Sequence, residues 1–246
     1  MSPLTVLYAS LFYFATAVLG LGVAYKIRQY ATTPTPFKVP VAPAPKTKTG
    51  VVLRMTREIV FFASLFKSNL WIWIFAVLFH ASLVLVLARH LRYFTEPVWT
   101  WVVLIQPFGM YAGFAMVLGL GGLWARRILV NRIRYITNPS DHLMLLLIVG
   151  IGLSGLNMRF VVRTDIIAVK AFILGLLRFD WQPLPADPVL LVHLGLVITL
   201  MIVFPFSKLL HVPGVFFHPS RNQVDDARKK RHVAPWAAHL DGERDA

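Results

Sequence analysis

The sequence predicts an all-α integral membrane protein, a five-helix transmembrane bundle, and three observations support this fold class. Apolar residues make up 57% of the 246 residues, against roughly 45–50% in soluble domains. They are concentrated in five stretches, each long enough to cross about 30 Å of hydrocarbon, which takes about 20 helical residues. Lipid leaves only helices or closed barrels as spanning structures. Because barrel strands alternate apolar and polar residues and these stretches do not, we predict helices.

The five predicted spans begin close to the N-terminus and occupy most of the first 210 residues. No basic residue precedes the first span and no cleavage site follows it, which argues against a signal peptide. The third span contains Pro107 and the glycine-rich sequence GFAMVLGLGG, whose small residues permit close helix packing in lipid. The predicted spans lie near residues 4–25, 70–89, 98–123, 143–162 and 189–210.

The distribution of basic residues predicts the topology. Nineteen of the 25 Lys and Arg residues lie in residues 26–68, 124–141 and 208–246. The positive-inside rule then places the N-terminus outside and the C-terminus in the cytoplasm of a multi-pass protein of the cytoplasmic (inner) membrane. The formal net charge of +14 therefore indicates topology and contact with anionic membrane lipid, with no nucleic acid as partner. The absence of Cys excludes disulfides, iron–sulfur clusters on this chain and haem attachment through CxxCH.

The connecting segments predict two domains, a membrane domain at residues 1–210 and a cytoplasmic tail at 211–246. A Pro-rich cytoplasmic loop near residues 31–50 indicates an extended, semi-rigid linker. Residues 53–67 alternate apolar and basic side chains at helical spacing, which suits a surface helix or an extension of the second span. Residues 164–179 predict a short helix in the outer interface. The basic, aromatic tail is a docking segment for a partner or a segment held near anionic lipid.

Four histidines lie in two of the predicted spans, and intramembrane ionisable side chains indicate a functional site. His80 and His90 are ten residues apart, and His193 and His211 are eighteen apart. Eighteen residues make five turns, so the second pair would share one face of a continuous helix. The predicted topology puts His90 and His193 near the outer surface and His80 and His211 deeper. Two His per iron would hold two haem groups; the alternative is that neighbouring side chains satisfy each His.

A haem with two axial His has no open position for a substrate, so such a centre transfers electrons. Haem propionates need cationic partners at each face of the membrane. Arg89 and Arg92 flank His90 at the outer end. The candidates at the inner end are Lys208, Arg126 and Arg127. For each of these cations, the alternative is a role in topology alone.

The segments NLWIWIFAVLFH…ARH and LVHLGLVITLMIVFPFSKLLH resemble the dihaem cytochrome b, or gamma, subunit of respiratory nitrate reductase. The resemblance covers the five spans and both His spacings. It implies two b-type haems, the outer one bound by His90 with His193 and the inner one by His80 with His211. It also implies a lysine at the start of the third span, near a quinone, where this chain has Ile105 and Gln106. A quinone, menaquinone or ubiquinone, would instead meet Arg89, Arg92 or Gln106.

The Pro-rich first loop and the tail RNQVDDARKKRHVAPWAAHL resemble the DsrM branch, the membrane cytochrome b subunit of the dissimilatory sulfite reductase-associated complex. This resemblance implies a cytoplasmic iron–sulfur subunit of the heterodisulfide-reductase kind and other membrane and periplasmic redox subunits. We therefore expect an electron-transfer subunit of a quinone-linked oxidoreductase of dissimilatory sulfur metabolism. The alternatives are a nitrate reductase gamma subunit that oxidises quinol, or a transporter or membrane anchor without redox chemistry. No acidic residue lies deep in a predicted span to relay protons for a transporter.

Overall fold

The computed structural model describes residues 1–35 and 39–226, and these residues form helices and no strand. Five helical segments are long and apolar enough to cross a membrane, which confirms the predicted fold class; the orientation of the termini stays a prediction. The chain forms two compact units. The first comprises Met1–Val23 and Ser64–Lys208, and the second comprises Ala24–Ala63 with the described residues from Leu209. The spanning segments are Pro3–Thr32, Leu70–Tyr93, Thr100–Leu129, Pro139–Val162 and Pro188–Phe206.

Eleven α-helices follow one another along the described residues, joined by short 3₁₀ turns and one π-helical stretch at Met158–Val162. The helices are α1 (Pro3–Thr32), α2 (Lys48–Phe61), α3 (Ala63–Ser68), α4 (Leu70–His90), α5 (Thr100–Leu129), α6 (Asn131–Ile136), α7 (Pro139–Asn157), α8 (Ile166–Arg178), α9 (Pro188–Val203), α10 (His211–Gly214) and α11 (Pro219–Asn222).

Helices α4 and α5 make the closest helix contact of the first unit, and glycines of α5 permit it. A Cβ atom on Gly119 would lie 2.7 Å from the backbone nitrogen of Phe79. A Cβ atom on Gly122 would lie 2.4 Å from the Phe75 ring. Because glycine has no side chain, the backbones approach to a distance that other residues would prevent. This confirms the close packing predicted from the glycine-rich sequence of the third span.

Helix α8 is the predicted short helix between the fourth and fifth spans, and it packs against the first part of α1. The Tyr13 hydroxyl donates a hydrogen bond to the Leu176 carbonyl at 2.8 Å. The Trp181 indole N–H donates to the Tyr13 hydroxyl at 3.1 Å. These bonds satisfy the polar ends of aromatic side chains whose rings are partly buried. The buried apolar residues of this region are Ala9, Val169, Phe172, Leu176, Leu184, Leu190 and Leu194.

The prediction of a continuous fifth helix to residue 210 is wrong. Helix α9 ends at Val203, and a 3₁₀ turn at Phe204–Phe206 follows it. Pro205 lacks the N–H that would continue the helix, and Ser207 is extended, with φ −109° and ψ 171°. His211 begins α10 in the second unit. The expectation that His193 and His211 share one face of a single helix is therefore also wrong.

The segment predicted at residues 53–67 forms separate helices rather than an extension of the second span. The Thr47 side chain caps α2 by accepting a hydrogen bond from the Gly50 N–H at 3.1 Å. Phe62, between α2 and α3, has the left-handed φ of 50°. The Asn69 side chain then caps α4 by accepting from the Ile72 N–H at 3.0 Å. The left-handed residue Phe62 and the new cap at Asn69 thus separate α2, α3 and α4 from one another. The location of residues 53–67 at the membrane surface stays a prediction.

The second unit joins the Pro-rich loop and α2 to the first part of the C-terminal tail. Arg221 donates to the Glu58 carboxylate of α2 at 2.8 Å. The Val41 N–H donates to the Ser220 carbonyl at 3.0 Å, and the Asp225 N–H donates to the Pro45 carbonyl at 2.9 Å. The tail therefore contacts the loop up to residue 225. Residues 227–246, the rest of the predicted docking segment, lie outside the described residues.

Asp187 caps the N-terminus of α9, and its replacement gives a prediction about stability. Its Oδ1 accepts a hydrogen bond from the Val189 N–H at 2.9 Å, and its Oδ2 accepts one from the Thr164 hydroxyl. We expect Asp187→Ala to lower the free energy of unfolding by about 1 kcal/mol at neutral pH, a typical loss for an N-cap. Thermal unfolding of the purified protein in detergent measures this change.

The same carboxylate makes the stability depend on pH. The Thr164 hydroxyl bond, with the two backbone N–H bonds, lowers the pKa of Asp187 below its ordinary value. Its contribution to stability is therefore present above the pKa of the unfolded chain and is lost as pH falls through the lower pKa of the folded protein. Thr164→Val keeps the cap and should move this loss to higher pH. An acid unfolding profile that Asp187→Ala leaves unchanged would contradict this role.

Candidate functional site

The structure brings together His90 and His193, the predicted outer pair. His90 is the last residue of α4, and His193 lies in the second turn of α9. Both belong to the first unit. His193 is 8% exposed, His90 is half-buried, and the two imidazoles are close enough for their charges to interact. Two His side chains from different helices, one buried and one half-buried, supply the two protein ligands that a bis-His haem needs.

Hydrogen bonds from α4 set the tautomer of two of the four histidines. The Nδ1 atom of His90 lies 2.6 Å from the Val86 carbonyl oxygen. The Nδ1 atom of His80 lies 2.8 Å from the Ala76 carbonyl oxygen. Because a carbonyl only accepts, each Nδ1 carries the hydrogen, and each Nε2 carries the lone pair that can bind a metal. Metal-binding His side chains generally donate their other N–H in this way.

Ser154 of α7 contacts the Nδ1 atom of His193, as the backbone carbonyls of α4 contact the Nδ1 atoms of His90 and His80. Its hydroxyl oxygen lies 2.9 Å from the Nδ1 atom of His193 and 2.7 Å from the Gly150 carbonyl oxygen. The hydroxyl hydrogen goes to the carbonyl, so the Nδ1–H of His193 donates to the hydroxyl oxygen. The third histidine thus also has Nε2 as its metal-binding atom. The sequence analysis missed Ser154, since no local pattern links residues 39 positions apart.

The donor set of the outer pair fits a haem. Gly155 lies beside the His193 imidazole, where an added Cβ would be 3.4 Å from Cε1. An alanine Cβ would make ordinary van der Waals contact with the ring at this distance, so glycine leaves that edge of the imidazole uncovered. Within residues 1–35 and 39–226, no three His, Asp or Glu side chains form a group that could hold a bare metal ion. A haem iron takes four of its ligands from the porphyrin, so two histidines are sufficient for it.

The three residues predicted for propionate or quinone binding form one cluster beside His90. The Gln106 side-chain oxygen accepts hydrogen bonds from Arg89 at 3.1 Å and from Arg92 at 3.2 Å. Its NH₂ group donates to the Val102 carbonyl at 3.1 Å. Gln106 on α5 therefore holds both guanidinium groups at the end of α4. Both arginines are half-buried, so their charges are only partly solvated.

Arg159, which the sequence analysis did not single out, extends this cationic cluster. It lies in the π-helical stretch after α7, and its Nε–H donates to the Met110 sulfur at 3.1 Å. It is close enough to Arg89 for their charges to interact. Among the described residues, no carboxylate is within ion-pair distance of Arg89, Arg92 or Arg159. Arg89 and Arg92 are half-buried and Arg159 is exposed, and neighbouring like charges of this kind favour an anionic ligand.

Two of the cations predicted near the inner haem instead contact an acidic residue. Lys208 lies 2.6 Å from the Asp141 carboxylate, and Arg127 lies 3.7 Å from it. His211, by contrast, lies on α10 in the second unit, where its side chain is exposed. Its assignment as a ligand stays a prediction from the sequence.

The arrangement of the first unit agrees with what comparison with known proteins finds. The family model described as nitrate reductase gamma subunit matches residues 61–225. This protein belongs to the nitrate reductase gamma subunit family. The matched residues include the four histidines and the three arginines of the outer cluster. Membership of this family and the five apolar helices establish a multi-pass membrane protein.

Two archaeal relatives are similar over nearly the whole chain. One, from Archaeoglobus fulgidus, is 36% identical in an alignment of 269 positions, gaps included, that covers 91% of this chain and 81% of the relative. The other, from Archaeoglobus profundus, is 33% identical in an alignment of 285 positions, gaps included, that covers 96% of this chain and 84% of the relative. Each is named Hdr-like menaquinol oxidoreductase cytochrome b-like subunit. The similarity agrees with the resemblance to a DsrM-like cytochrome b.

A surface depression of about 360 Å³ lies between the connection that follows α4 and helix α8. Its lining does not include His90 or the residues predicted to meet a quinone. The predicted quinone-binding residues therefore contact one another, not this depression. Its lining residues are Phe94, Thr95, Glu96, Pro97, Trp99, Leu174, Leu177 and Arg178.

Proposed function

We propose that this protein is the membrane cytochrome b subunit of a menaquinol-linked redox complex. In this proposal it carries electrons between menaquinol and a cytoplasmic iron–sulfur subunit through two bis-His b haems. The observation that supports it most is the outer pair: His90 of α4 and His193 of α9 each have Nδ1 in a hydrogen bond, which leaves Nε2 as the atom that would bind a metal. The menaquinol named in both relatives favours menaquinone over ubiquinone.

The protein's part in the outer site is to hold two imidazoles in fixed orientation. Val86 and Ser154 receive the Nδ1 protons of His90 and His193, which fixes the tautomers and makes Nε2 the ligand atom. A haem held by His90 and His193 would supply one-electron transfer. The hydrogen bonds and the burial of His193 then contribute to the reduction potential.

The inner site is proposed from the sequence, with His80 and His211 as ligands. The Nδ1 atom of His80 has the same bond to the carbonyl four residues earlier as that of His90. The two α4 histidines are therefore prepared as ligands in the same manner. The spacing of the four His and the family resemblance supply the pairing.

The outer arginines are suited to bind the propionate groups of a haem and the carbonyl groups of a quinone. Arg89 and Arg92 are the proposed propionate partners, and Arg159 adds a third guanidinium group to them. Gln106 keeps Arg89 and Arg92 in place, and its NH₂ group donates to the Val102 carbonyl at 3.1 Å and to the Arg89 carbonyl at 3.4 Å. The guanidinium groups are therefore the donors that a quinone carbonyl would meet. The missing lysine of the family's quinone site would thus be replaced by residues of this cluster.

The proposed partners follow from the names of the relatives and from the resemblance. "Hdr-like" supports an iron–sulfur subunit of the heterodisulfide-reductase kind on the cytoplasmic side. Further membrane and periplasmic redox subunits, and a setting in dissimilatory sulfur metabolism, belong to the same proposal. The proposed location is the cytoplasmic membrane, with the N-terminus outside.

A nitrate reductase gamma subunit is the second candidate function, because the matching family model carries that description. Loss of quinol-dependent nitrate reduction when the gene is deleted would support it.

The proposal is tested by haem quantification on the purified complex, followed by addition of reduced menaquinone. We expect the pyridine haemochrome spectrum of b haem, two haems per chain, and reduction of the haem by the menaquinol. A folded protein without haem would contradict the proposal and favour a non-redox anchor or transporter.

Replacing residues of the outer cluster tests the quinone contact. We expect Arg89→Leu and Gln106→Leu each to slow menaquinol-driven haem reduction about tenfold, the usual effect of losing one hydrogen bond to a charged group. Haem content is measured in the same samples, so that slower reduction is distinguished from loss of haem. Gln182→Ala, a surface amide that bonds to Asp180, is the control. Unchanged reduction rates in both cluster variants would remove this site from the proposal.

A further inference from the structure

Ser154 of α7 has a contact that the comparable serine of α4 does not need. The Ser82 hydroxyl of α4 donates to the Leu78 carbonyl, four residues earlier, at 2.6 Å. The Ser154 hydroxyl donates to the Gly150 carbonyl, also four residues earlier, at 2.7 Å. Such a bond satisfies the hydroxyl of a serine within a helix. The oxygen of Ser154 lies, in addition, 2.9 Å from Nδ1 of His193, a residue of α9.

His193 is held differently from the two histidines of α4. The Nδ1 atoms of His80 and His90 each bond to the carbonyl four residues earlier in the same helix. The Nδ1 atom of His193 bonds to a side chain of another helix, that of Ser154. The bonds of His80 and His90 have a backbone acceptor, which stays when side chains change. A single side-chain substitution can therefore remove the bond of His193 and leave the other two in place.

The bond between Ser154 and His193 lies in the interior of the first unit. His193 is 8% exposed, and Ser154 is half-buried. The next residue of α7 is Gly155, beside the Cε1 atom of the same imidazole. Helix α7 thus contacts the ring of a histidine that belongs to α9. Because the interior is less polar than water, a hydrogen bond there has a stronger electrostatic effect than one at the surface.

The directions of the two bonds make Ser154 a link in a short chain of hydrogen bonds. The Gly150 carbonyl can only accept, so the hydroxyl donates to it and accepts from the Nδ1–H of His193. Hydrogen bonds in series polarise one another, which makes the hydroxyl oxygen a better acceptor. An imidazole whose Nδ1–H donates is more basic at Nε2. A more basic axial ligand favours ferric over ferrous iron and therefore lowers the reduction potential.

We propose that Ser154 is a positioning residue that sets the reduction potential of the outer haem through His193. Its hydroxyl does not bind the iron; it orients the imidazole and strengthens Nε2 as a donor. The outer haem is therefore harder to reduce than it would be without this bond. The role of Ser154 rests on the proposed function, since it takes His193 as an axial ligand. It adds to that function a side chain of α7 that acts on one of the two haems.

The test is a redox titration of the purified complex, followed by the optical spectrum of the haem. The outer component is defined as the one absent from His193→Ala. We expect Ser154→Ala to raise its midpoint and to change the ratio of ferric to ferrous haem at a given potential about tenfold, the lower end of the range for residues that hydrogen-bond to a metal ligand. This change is about 59 mV for one electron. The inner component should be unchanged.

Two further variants separate the hydrogen bond from packing. Ser154→Thr keeps the hydroxyl and should retain the wild-type midpoint. Ser82→Ala removes a buried hydroxyl with the same helical bond, and it should leave the outer midpoint unchanged. Loss of the outer haem from Ser154→Ala that is restored in Ser154→Thr would also support the role of the hydroxyl.

Several results would overturn this role of Ser154. One is an outer midpoint that Ser154→Ala leaves unchanged or lowers. Another is an equal shift in Ser82→Ala, or an equal shift of both haem components, because packing would then explain the change. Loss of the outer haem from both Ser154 variants would have the same meaning. A wild-type complex without haem would instead contradict the proposed function itself.

Discussion

Replacing His193 by alanine is expected to remove one of two haems and to leave the other in place. His90→Ala should have the same effect, and the double variant should lose no more haem than either single variant. The reason is that both imidazoles would bind one iron, so losing one ligand already empties the site. Pyridine haemochrome quantification should therefore give about half the wild-type haem in all three proteins. A redox titration should show that the same component is absent from each.

The chain offers a matched control for these substitutions. His142 also lies in a spanning segment, but its Nδ1 accepts a hydrogen bond from the Trp124 indole N–H at 2.9 Å. His142→Ala should therefore retain both haems. The pairing would be contradicted if His90→Ala and His193→Ala removed different redox components, since the double variant would then hold no haem.

Gly119→Ala is expected to be the most damaging single-methyl change in the contact between α4 and α5. The added Cβ would lie 2.7 Å from the Phe79 backbone nitrogen and 3.0 Å from the Phe75 carbonyl oxygen. Backbone atoms cannot rotate away as a side chain can, so the helices must separate. Such overpacking costs about 1–3 kcal/mol. Because Phe79 precedes His80, we also expect weaker retention of the inner haem, measured during thermal unfolding in detergent.

Gly121→Ala, two residues further along α5, is the control for this change. No atom lies within 4 Å of the position that its Cβ would take. In a helix interior, alanine is more favourable than glycine by about 1 kcal/mol, so this variant should be at least as stable as the wild type. Equal unfolding temperatures for Gly119→Ala and Gly121→Ala would show that the helices do not meet as described.

The sequence predicted the features that depend on local composition. Twenty consecutive apolar residues indicate a spanning helix wherever they occur, and the glycines of α5 indicate close packing. The short helix α8 was also predicted, because the connection between the fourth and fifth spans has room for one and is rich in apolar residues. Arg89, Arg92 and Gln106 were selected for chemistry near His90, and the structure joins them in one cluster.

The features that sequence analysis missed depend on contacts between distant residues or on a single backbone group. Hydropathy averaged over a window does not register the missing N–H of Pro205 that ends α9, although a proline inside a helical pattern is itself a signal for a helix end. The Asp141–Lys208 pair joins residues 67 positions apart, and nothing local to either residue indicates it. Arg159 resembles any basic residue at the end of a span until its distance from Arg89 is known.

The early end of α9 also has a consequence for the surrounding bilayer. Its 16 residues rise about 24 Å, and the 3₁₀ turn at Phe204–Phe206 adds about 6 Å, so this span just reaches the roughly 30 Å of a typical hydrocarbon core. The 30 residues of α5 rise about 45 Å. One protein thus presents to the lipid a segment without spare length and a helix that exceeds the core, and tilt of the long helix relieves the excess. Longer acyl chains should therefore affect the segment that carries His193 before they affect α5.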